Sequence, residues 1–427
     1  MRIGIVGGGL TGMALARRYG ADGHDVTVVE YAEQIGGLAT WSAFSGFSWD
    51  RFDHVIRSSD KNLIGLLEDL GMQDDLQWRT ASNGLYVDEK LHPIGSKSEI
   101  PKSPLLSFSA RVRFRSAMLY ASRLNSWQPL ESVTCEEWLR KVFGNENFEK
   151  FWKPLLLARL GQDYSRVSAV FVWSYIKSLS SAGAEQLGHV SGGYERIFKK
   201  IEKDVKASGG RVLLKETVMR VSRDASGVTI HTPMRKLTFD EVVCTSSINV
   251  VKTVVDDELL DVDNRRRVVE YLGVVCVVLV TKKPITHCYE VNIADEAIPF
   301  KSLVGLSNVV DVKNTKGYHL TYLSKYLLST DPEIEKPDTY FKETFLDGVK
   351  RMFPGFSMQD LVSTHVHRAG KSQPLQVLNY SSIVPPVSTG DPRLHILNTS
   401  QFVNCPSSNN EVIGAVNKFY NSTYTAI

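Results

Sequence analysis

The 427-residue sequence predicts a doubly wound α/β domain interleaved with a second, α+β domain, on three observations. A β-branched run at residues 2–6 leads through three consecutive glycines into a helical stretch from about Leu10 to Ala21. A second β-branched run follows at 25–30, so the chain opens as a βαβ unit. Strand and helix patterns then alternate with no internal repeat and no low-complexity segment. Finally, 43% apolar residues are enough for a large core, and 23% charged residues are too few for wholesale disorder. The length suits two or three domains rather than one.

The elements follow in order. Residues 59–71 read as a helix with Ser59 at its N-cap and Gly71 at its stop. From Gly84 the pattern loosens into a Pro-interrupted stretch ending near Pro104, and 109–124, 134–143 and 147–161 look helical. Val190-Ser191-Gly192-Gly193 breaks the chain before a helix over 194–207, which Gly209-Gly210 ends. Strands are expected at 211–214, 218–222, 228–232 and 240–244, then at 271–281, 302–309 and 317–323. Helices are expected at 338–352 and 358–362, a strand at 394–397, and a last helix at 410–420. Residues 1–80, 190–250 and 385–427 are assigned to the first domain. Residues 81–189 and 251–384 are assigned to the second.

Several functions are excluded by composition. Fifty Lys+Arg against 47 Asp+Glu leave a net charge of +3, too mild for nucleic-acid binding as the main task. Five cysteines at 135, 244, 276, 288 and 405 contain no Cys-x-x-Cys pair. That argues against a disulfide framework and a cysteine-based zinc site, and fits a reducing compartment. No signal sequence is evident at the start, and the longest apolar run, 272–280, is about half a bilayer span. The expected location is cytoplasmic. Neither Gly-x-Ser-x-Gly nor His-Glu-x-x-His occurs, so hydrolase chemistry lacks support.

The most informative segment is Gly7-Gly8-Gly9-Leu10-Thr11-Gly12. Gly7 allows a tight turn, Gly9 lets backbone approach a pyrophosphate, and Gly12 lets helix and strand pack closely. The amides of the helix start, around Leu10 and Thr11, present unpaired donors and a positive dipole end to phosphates. Glu30 closes the second strand, where an acceptor-only carboxylate suits two ribose hydroxyls and repels a 2′-phosphate. A second glycine pair, Gly36-Gly37, follows with Leu38-Ala39; NAD binding does not call for it.

With these residues the chain resembles the FAD-dependent amine oxidase, protoporphyrinogen oxidase and phytoene desaturase superfamily. The resemblance continues through Phe47-Ser48-Trp49-Asp50, the Gly192-Gly193 turn before a helix, and Thr217-Val218-Met219-Arg220-Val221. It implies a Rossmann-like FAD-binding domain and FAD as cofactor. The flavin would accept a hydride from an amine, an alcohol or an allylic C–H of a small-molecule substrate. Val218 inherits the backbone contact to adenine, and Gly36, Gly37, Leu38 and Ala39 the approach to the flavin end. Three positions depart from the family. Leu38 stands where Arg or Lys is usual, Phe52 where Gly is frequent, and Asn398-Thr399 where Gly-Asp precedes a helix. Two related readings stand beside it: a non-redox flavoenzyme such as UDP-galactopyranose mutase, which resembles the same N-terminal pattern, and a non-enzymatic lipid carrier such as Rab GDP-dissociation inhibitor, which shares the fold without FAD.

Catalytic candidates are His54, in the segment that runs near the flavin in this superfamily, and Lys371, since some amine oxidases place a lysine near the flavin. His365 and His367 share one face of a strand but have no partner cluster, so no metal is expected. Tyr175, Tyr194, Tyr289 and Tyr322 are candidate pocket aromatics. Residues 101–130 carry Lys102, Arg111, Arg113, Arg115 and Arg123 and no acidic residue. A solvated helix face is the bland reading of this stretch; a peripheral membrane contact or an anionic-substrate site is the functional one.

Overall fold

Five short apolar runs assemble into one parallel sheet in the computed structural model, which describes residues 1–93, 105–180, 186–260 and 268–424. The strands are β1 (Arg2–Val6), β2 (Asp25–Val29), β3 (Arg211–Leu213), β4 (Glu241–Cys244) and β5 (Leu394–Ile396). Their spatial order is β3-β2-β1-β4-β5, all parallel. The chain runs outward from β1 on one side and resumes at β4 on the other. Such a switch point leaves a crevice beyond the carboxyl ends of the strands.

Side chains alternate along β1 as a two-sided buried strand requires. Ile3 and Ile5 enter the core beneath helix α1 (Leu10–Ala21), with Val26 and Val28 of β2. Val6 and Val29 face the opposite core, covered by an antiparallel sheet of Arg220–Asp224, Gly227–His231 and Lys236–Phe239. Phe239 lies so close that a Cβ on Gly4 would come within 2.6 Å of its ring. Helices α2 (Gly193–Ala207) and α3 (Asn409–Tyr424) complete the helical side, burying Tyr194, Phe198, Ile201 and Val416.

The second sheet has seven strands, in the order Leu361–Pro374, Tyr271–Thr281, His319–Leu328, Ser302–Gly305, Glu290–Ile293, Asn83–Val87 and Lys90–Pro93. Tyr271–Thr281 is buried along its whole length. Val275, Val277 and Leu279 pack under a helix at Asp338–Met352, and Cys276, Val278 and Val280 face Phe44, Trp49 and Tyr322. Helices over Phe108–Ser180 close on an aromatic cluster of Phe114, Trp138, Phe143 and Trp152.

Four expectations need correction. The helix expected over 59–71 is Lys61–Asp69, and Asp60 rather than Ser59 is its N-cap residue. Asp60 Oδ2 accepts the Arg57 N–H at 2.8 Å, which ties the turn before the helix. The helix expected at 358–362 is a single 3₁₀ turn, Met358–Asp360, that leads into the 14-residue strand Leu361–Pro374. This is an edge strand, half-buried, so its polar residues hide the strand periodicity. The strand expected at 302–309 stops at Gly305. The strand expected at 218–222 starts at Arg220, which leaves Thr217–Met219 as a loop.

Candidate active site

The carboxyl ends of β1, β2, β4 and β5 deliver Gly7, Glu30, Thr245 and Asn398 to one edge of the parallel sheet, where a cleft of about 1790 Å³ opens. A drug-sized ligand fills a pocket of about 300–1,000 Å³, so this cleft has room for a dinucleotide and a substrate together. Gly7, Gly9, Leu10, Thr11, Glu30, Gly36, Gly37, Leu38, Ala39, Val218, Asn398 and Thr399 all line it, and so do His54 and Lys371.

The glycine turn divides its work. Gly7 has φ +113°, and a Cβ there would meet the Thr245 hydroxyl at 2.6 Å. A Cβ on Gly12 would lie 2.0 Å from the Gly7 carbonyl oxygen, so Gly12 serves the packing of α1 on β1 and does not line the cleft. A Cβ on Gly9 would touch only Gly37 Cα, at 3.8 Å. The helix that starts there has no side-chain cap and no acidic residue in its first turn. A cradle of unpaired amides with open space in front fits a pyrophosphate. Gly36 and Gly37 sit against this turn with φ +128° and +58°; the Gly36 N–H donates to Gly8 O at 2.9 Å.

Glu30 is buried beside the turn. Its Oε2 accepts the Gly8 N–H at 2.6 Å and its Oε1 the Ala32 N–H at 2.9 Å. Each oxygen retains a lone pair for a ribose hydroxyl. Glu33, by contrast, is exposed and paired with Lys215 at 2.8 Å. The Glu216 N–H donates to Glu30 O at 2.9 Å, which brings the Thr217–Met219 loop, and Val218 in it, alongside the glycine turn. Asn398 is turned inward: its Nδ2 donates to Ser246 O at 2.8 Å and its Oδ1 accepts the Ser400 N–H at 3.0 Å. Its side chain therefore braces β4 against the loop after β5, and Thr399 continues the wall.

At the other end the cleft is lined by side chains from distant segments. Asp53 follows the hairpin Trp41–Phe44/Phe47–Asp50, Arg159 ends the helix Lys153–Leu160, and Tyr175 lies on Ala169–Ser180. Glu290, Tyr326 and Gln373 come from three strands of the seven-stranded sheet. Arg159 pairs with Glu290 at 3.1 Å, its guanidinium lies 5.3 Å from the Tyr175 ring centroid, and its carbonyl accepts from Gln373 Nε2 at 2.7 Å. Glu290 raises the pKa of the half-buried Arg159. Asp53 Oδ2 accepts the Tyr289 hydroxyl at 2.7 Å, while Oδ1 is buried with no partner among the described residues. Burial pushes the Asp53 carboxyl up to about 7; Glu290 adds to this, and the Tyr289 hydrogen bond, Arg57 and Arg159 oppose it. Asp50, fully enclosed, is raised well above the carboxylate range by burial, against the pull of the Tyr194 N–H at 3.0 Å.

His54 Nδ1 lies 2.9 Å from Phe52 O, so Nδ1 carries the proton and Nε2 is the acceptor. Burial pulls its pKa down, against the hydrogen bond to the Phe52 carbonyl. The group near neutrality in this loop is Asp53, one residue earlier. Lys371 is exposed at the rim. Of the four expected tyrosines only Tyr175 lines the cleft; Tyr194, Tyr289 and Tyr322 are buried behind it, and Tyr271 and Tyr326 take the lining positions. His365 and His367 face Phe44 from one side of the edge strand. No group of three or more His, Cys, Asp or Glu able to hold a metal ion is found among the described residues. Sequence reasoning passed over Asp53, Arg159 and Glu290 because no local spacing marks them; Gln373, at the end of the candidate segment Lys371–Gln373, does line the cleft.

In the basic stretch, Lys102 lies outside the described residues. Arg113, though exposed, is committed to the neighbouring helix, donating to the Val142 and Lys141 carbonyls, and Arg111 donates to Leu106 O. Phe108, Val112 and Leu119 are 81%, 53% and 53% exposed, and with Arg115 and Arg123 they form one stripe of the helix Phe108–Arg123. No helix among the described residues is long and apolar enough to cross a membrane.

A family model described as flavin containing amine oxidoreductase matches residues 10–396. The chain is 26% identical over 239 residues to a 15-cis-phytoene desaturase of Synechococcus elongatus, across 50% of this chain and 49% of that protein. It spans about half, or less, of the length of the curated relatives it matches. Among solved structures, an oxidoreductase from Methanosarcina mazei superposes with a TM-score of 0.79 at 17% identity, over 99% of this chain and 100% of that one. Reduced UDP-galactopyranose mutase superposes with a TM-score of 0.73 at 14% identity, over 99% and 96%. At such identities the likeness is one of fold. The family match, by contrast, takes in the glycine turn's helix, Glu30, four of the five parallel strands and the seven-stranded sheet: this chain belongs to the flavin containing amine oxidoreductase family, and the cofactor expected from its sequence, FAD, is the family's own.

Proposed function

We propose that the protein is an FAD-dependent oxidoreductase that removes a hydride from a small organic substrate at a C–H next to nitrogen, oxygen or an allylic carbon. The observation that carries this is the continuity of one cleft, from Gly9, Glu30 and Val218 to Asp53, Arg159 and Tyr326. The amides after Gly9 hold the pyrophosphate, Glu30 the ribose hydroxyls and the Val218 backbone the adenine. Gly36–Ala39 and Asn398–Thr399 border the path toward Asp53. When bound, the flavin supplies a two-electron acceptor. The chain supplies orientation, through Arg159, Gln373 and the tyrosines, and shields the reacting carbon from water. The division into a cofactor unit (1–80, 190–250, 385–427) and a substrate unit (81–189, 251–384) belongs to the same reading; the strands of the parallel sheet all fall in the first set.

The test is spectroscopic. The purified protein should show flavin absorption bands and release adenine on denaturation, and anaerobic addition of a true substrate should bleach the flavin. A colourless protein points to the carrier reading. A flavin needing an external reductant before turnover points to the mutase reading. The exposed apolar and basic stripe at Phe108–Arg123 supports a second proposal, peripheral contact with an anionic lipid surface.

A further inference from the structure

The geometry points to a binding site for an anionic group of the substrate, a carboxylate or a phosphate, made by the Arg51 guanidinium with Lys371 of the edge strand. This rests on the oxidoreductase reading above and names the class of molecule it acts on. Arg51 follows the hairpin Trp41–Phe44/Phe47–Asp50, and its own N–H donates to Thr40 O at 3.0 Å. Its Nε donates to Ser42 Oγ at 2.7 Å and to Trp41 O at 3.1 Å, which anchors the guanidinium. Neither Nη makes a hydrogen bond or ion pair among the described residues, and neither is enclosed by protein. Arg51 is half-buried and lines the cleft. Two coplanar, open donors on an anchored side chain match the paired oxygens of a carboxylate or phosphate.

The other arginines of the cleft are engaged. Arg159 pairs with Glu290 at 3.1 Å, Arg368 turns to Asp338 and the Lys336 carbonyl, and Arg57 acts on the buried Asp53. Lys371, like Arg51, has no carboxylate partner among the described residues. Its strand, Leu361–Pro374, bulges at this point. Ala369 stands opposite Val274 and Gln373 opposite Leu272, so Gly370, Lys371 and Ser372 bow out against Gly273 alone. A Cβ on Gly273 would meet the Ala369 and Gly370 carbonyl oxygens at 3.0 and 3.2 Å, so the bulge needs a glycine beneath it. Bulges re-aim side chains beside a site, and all three bulged residues line the cleft.

The same strand borders Arg51. The Phe52 ring lies 6.4 Å from His367, and the Arg51 charge acts on that histidine. The pyrophosphate of FAD has its own cradle in the amides after Gly9, closed by Gly37. Arg51 is anchored farther along, on residues 41 and 42, and so serves the substrate half. Two cations without a counter-charge on one side of a cleft favour an anionic ligand and disfavour a cationic one.

Calorimetric titration of the purified protein, with flavin content measured on each sample, tests this. Phenylacetate and phenyl phosphate are the anionic probes, with phenylacetamide and 2-phenylethylamine as neutral and cationic controls. We expect both anions to bind at least ~10-fold tighter than either control. R51Q should remove at least ~10-fold from the anions and leave the amide unchanged, and R51K should recover part of the loss, since it restores the charge without the planar fork. K371Q, at an exposed position that does not threaten the fold, should cost the anions ~3-fold. Flavin content should not change in any variant. Anions that bind no tighter than the amide, an R51Q protein that keeps its anion affinity or loses amide affinity equally, or a K371Q protein with the parent's anion affinity overturns the site. Flavin lost from R51Q with anion affinity intact assigns Arg51 to the pyrophosphate and overturns it too. A parent protein without flavin that still prefers the anions keeps the site and removes only the oxidoreductase reading.

Discussion

The two ends of the cleft are built by different means. At the dinucleotide end the ligand-facing surface is mostly backbone, and its centre, the glycine turn and helix start at Gly7–Gly12, is contiguous in sequence. At the substrate end it is side chains, and their partners are far apart. Asp53 meets Tyr289 across 236 positions, Arg159 meets Glu290 across 131, and Gln373 reaches Arg159 across 214. The first end is specified by what lacks a side chain, the second by what the fold brings together. Substitutions should therefore act on fold and cofactor at one end, and on proton balance at the other.

The sharpest break is Gly12→Val. Its Cβ would lie 2.0 Å from a backbone carbonyl that cannot swing away, so urea unfolding should show a loss of about 3 kcal/mol or more. A variant as stable as the parent would show that α1 and β1 are not in such close contact.

The substrate end should answer in pH rather than in fold. The folded-state pKa of Asp53 lies near 7, above the unfolded value of ~3.9. The folded state thus binds more protons between about pH 4 and 7, and stability falls as pH rises through that window. Discounted for solvent in the cleft, the loss is on the order of 2–3 kcal/mol. Asp53→Asn should flatten it in urea melts at pH 5 and pH 8; parallel pH dependences would place the titrating group elsewhere.

Next comes Glu30→Gln, which should weaken FAD binding by about 1.5–3 kcal/mol. Glu33→Gln, at an exposed ion pair with Lys215, should change it by less than ~0.5 kcal/mol. Equal effects in fluorescence titrations would remove Glu30 from the ribose. Gly9→Val should cost at least ~1.4 kcal/mol of FAD affinity, a tenfold change, yet leave the apo fold within ~1 kcal/mol, since its Cβ has room. The contrast with Gly12 separates a packing glycine from a ligand glycine.

The smallest effects belong to the helix stripe. Arg115→Gln with Arg123→Gln should weaken binding to anionic vesicles by ~1 kcal/mol per charge, and salt should mimic the change. Arg113→Gln should leave vesicle binding alone and lower stability instead, because its guanidinium holds two carbonyls. If the double variant co-sediments with vesicles like the parent, the stripe is a solvated face.

The sequence by itself determined the opening βαβ unit, the roles of Gly7 and Gly12, and the strand pattern of 271–281, which matches Tyr271–Thr281 to the residue. These are local statements: a turn, a missing Cβ or an apolar run is decided by neighbours a few residues away. It also placed Glu30 at a strand end, where only direction along the sheet was needed. Tertiary structure alone decided what stands around the reacting end. The edge strand Leu361–Pro374 was hidden by its half-buried, polar residues, and the hydrogen bond from Glu216 N–H to Glu30 O is what holds the Val218 loop beside the glycine turn. Asp53 was one more acid in Asp50-Arg51-Phe52-Asp53 until burial raised its pKa, against the opposing hydrogen bond from Tyr289. Burial, dielectric and long-range pairing are properties of the folded arrangement, and no spacing along the chain encodes them.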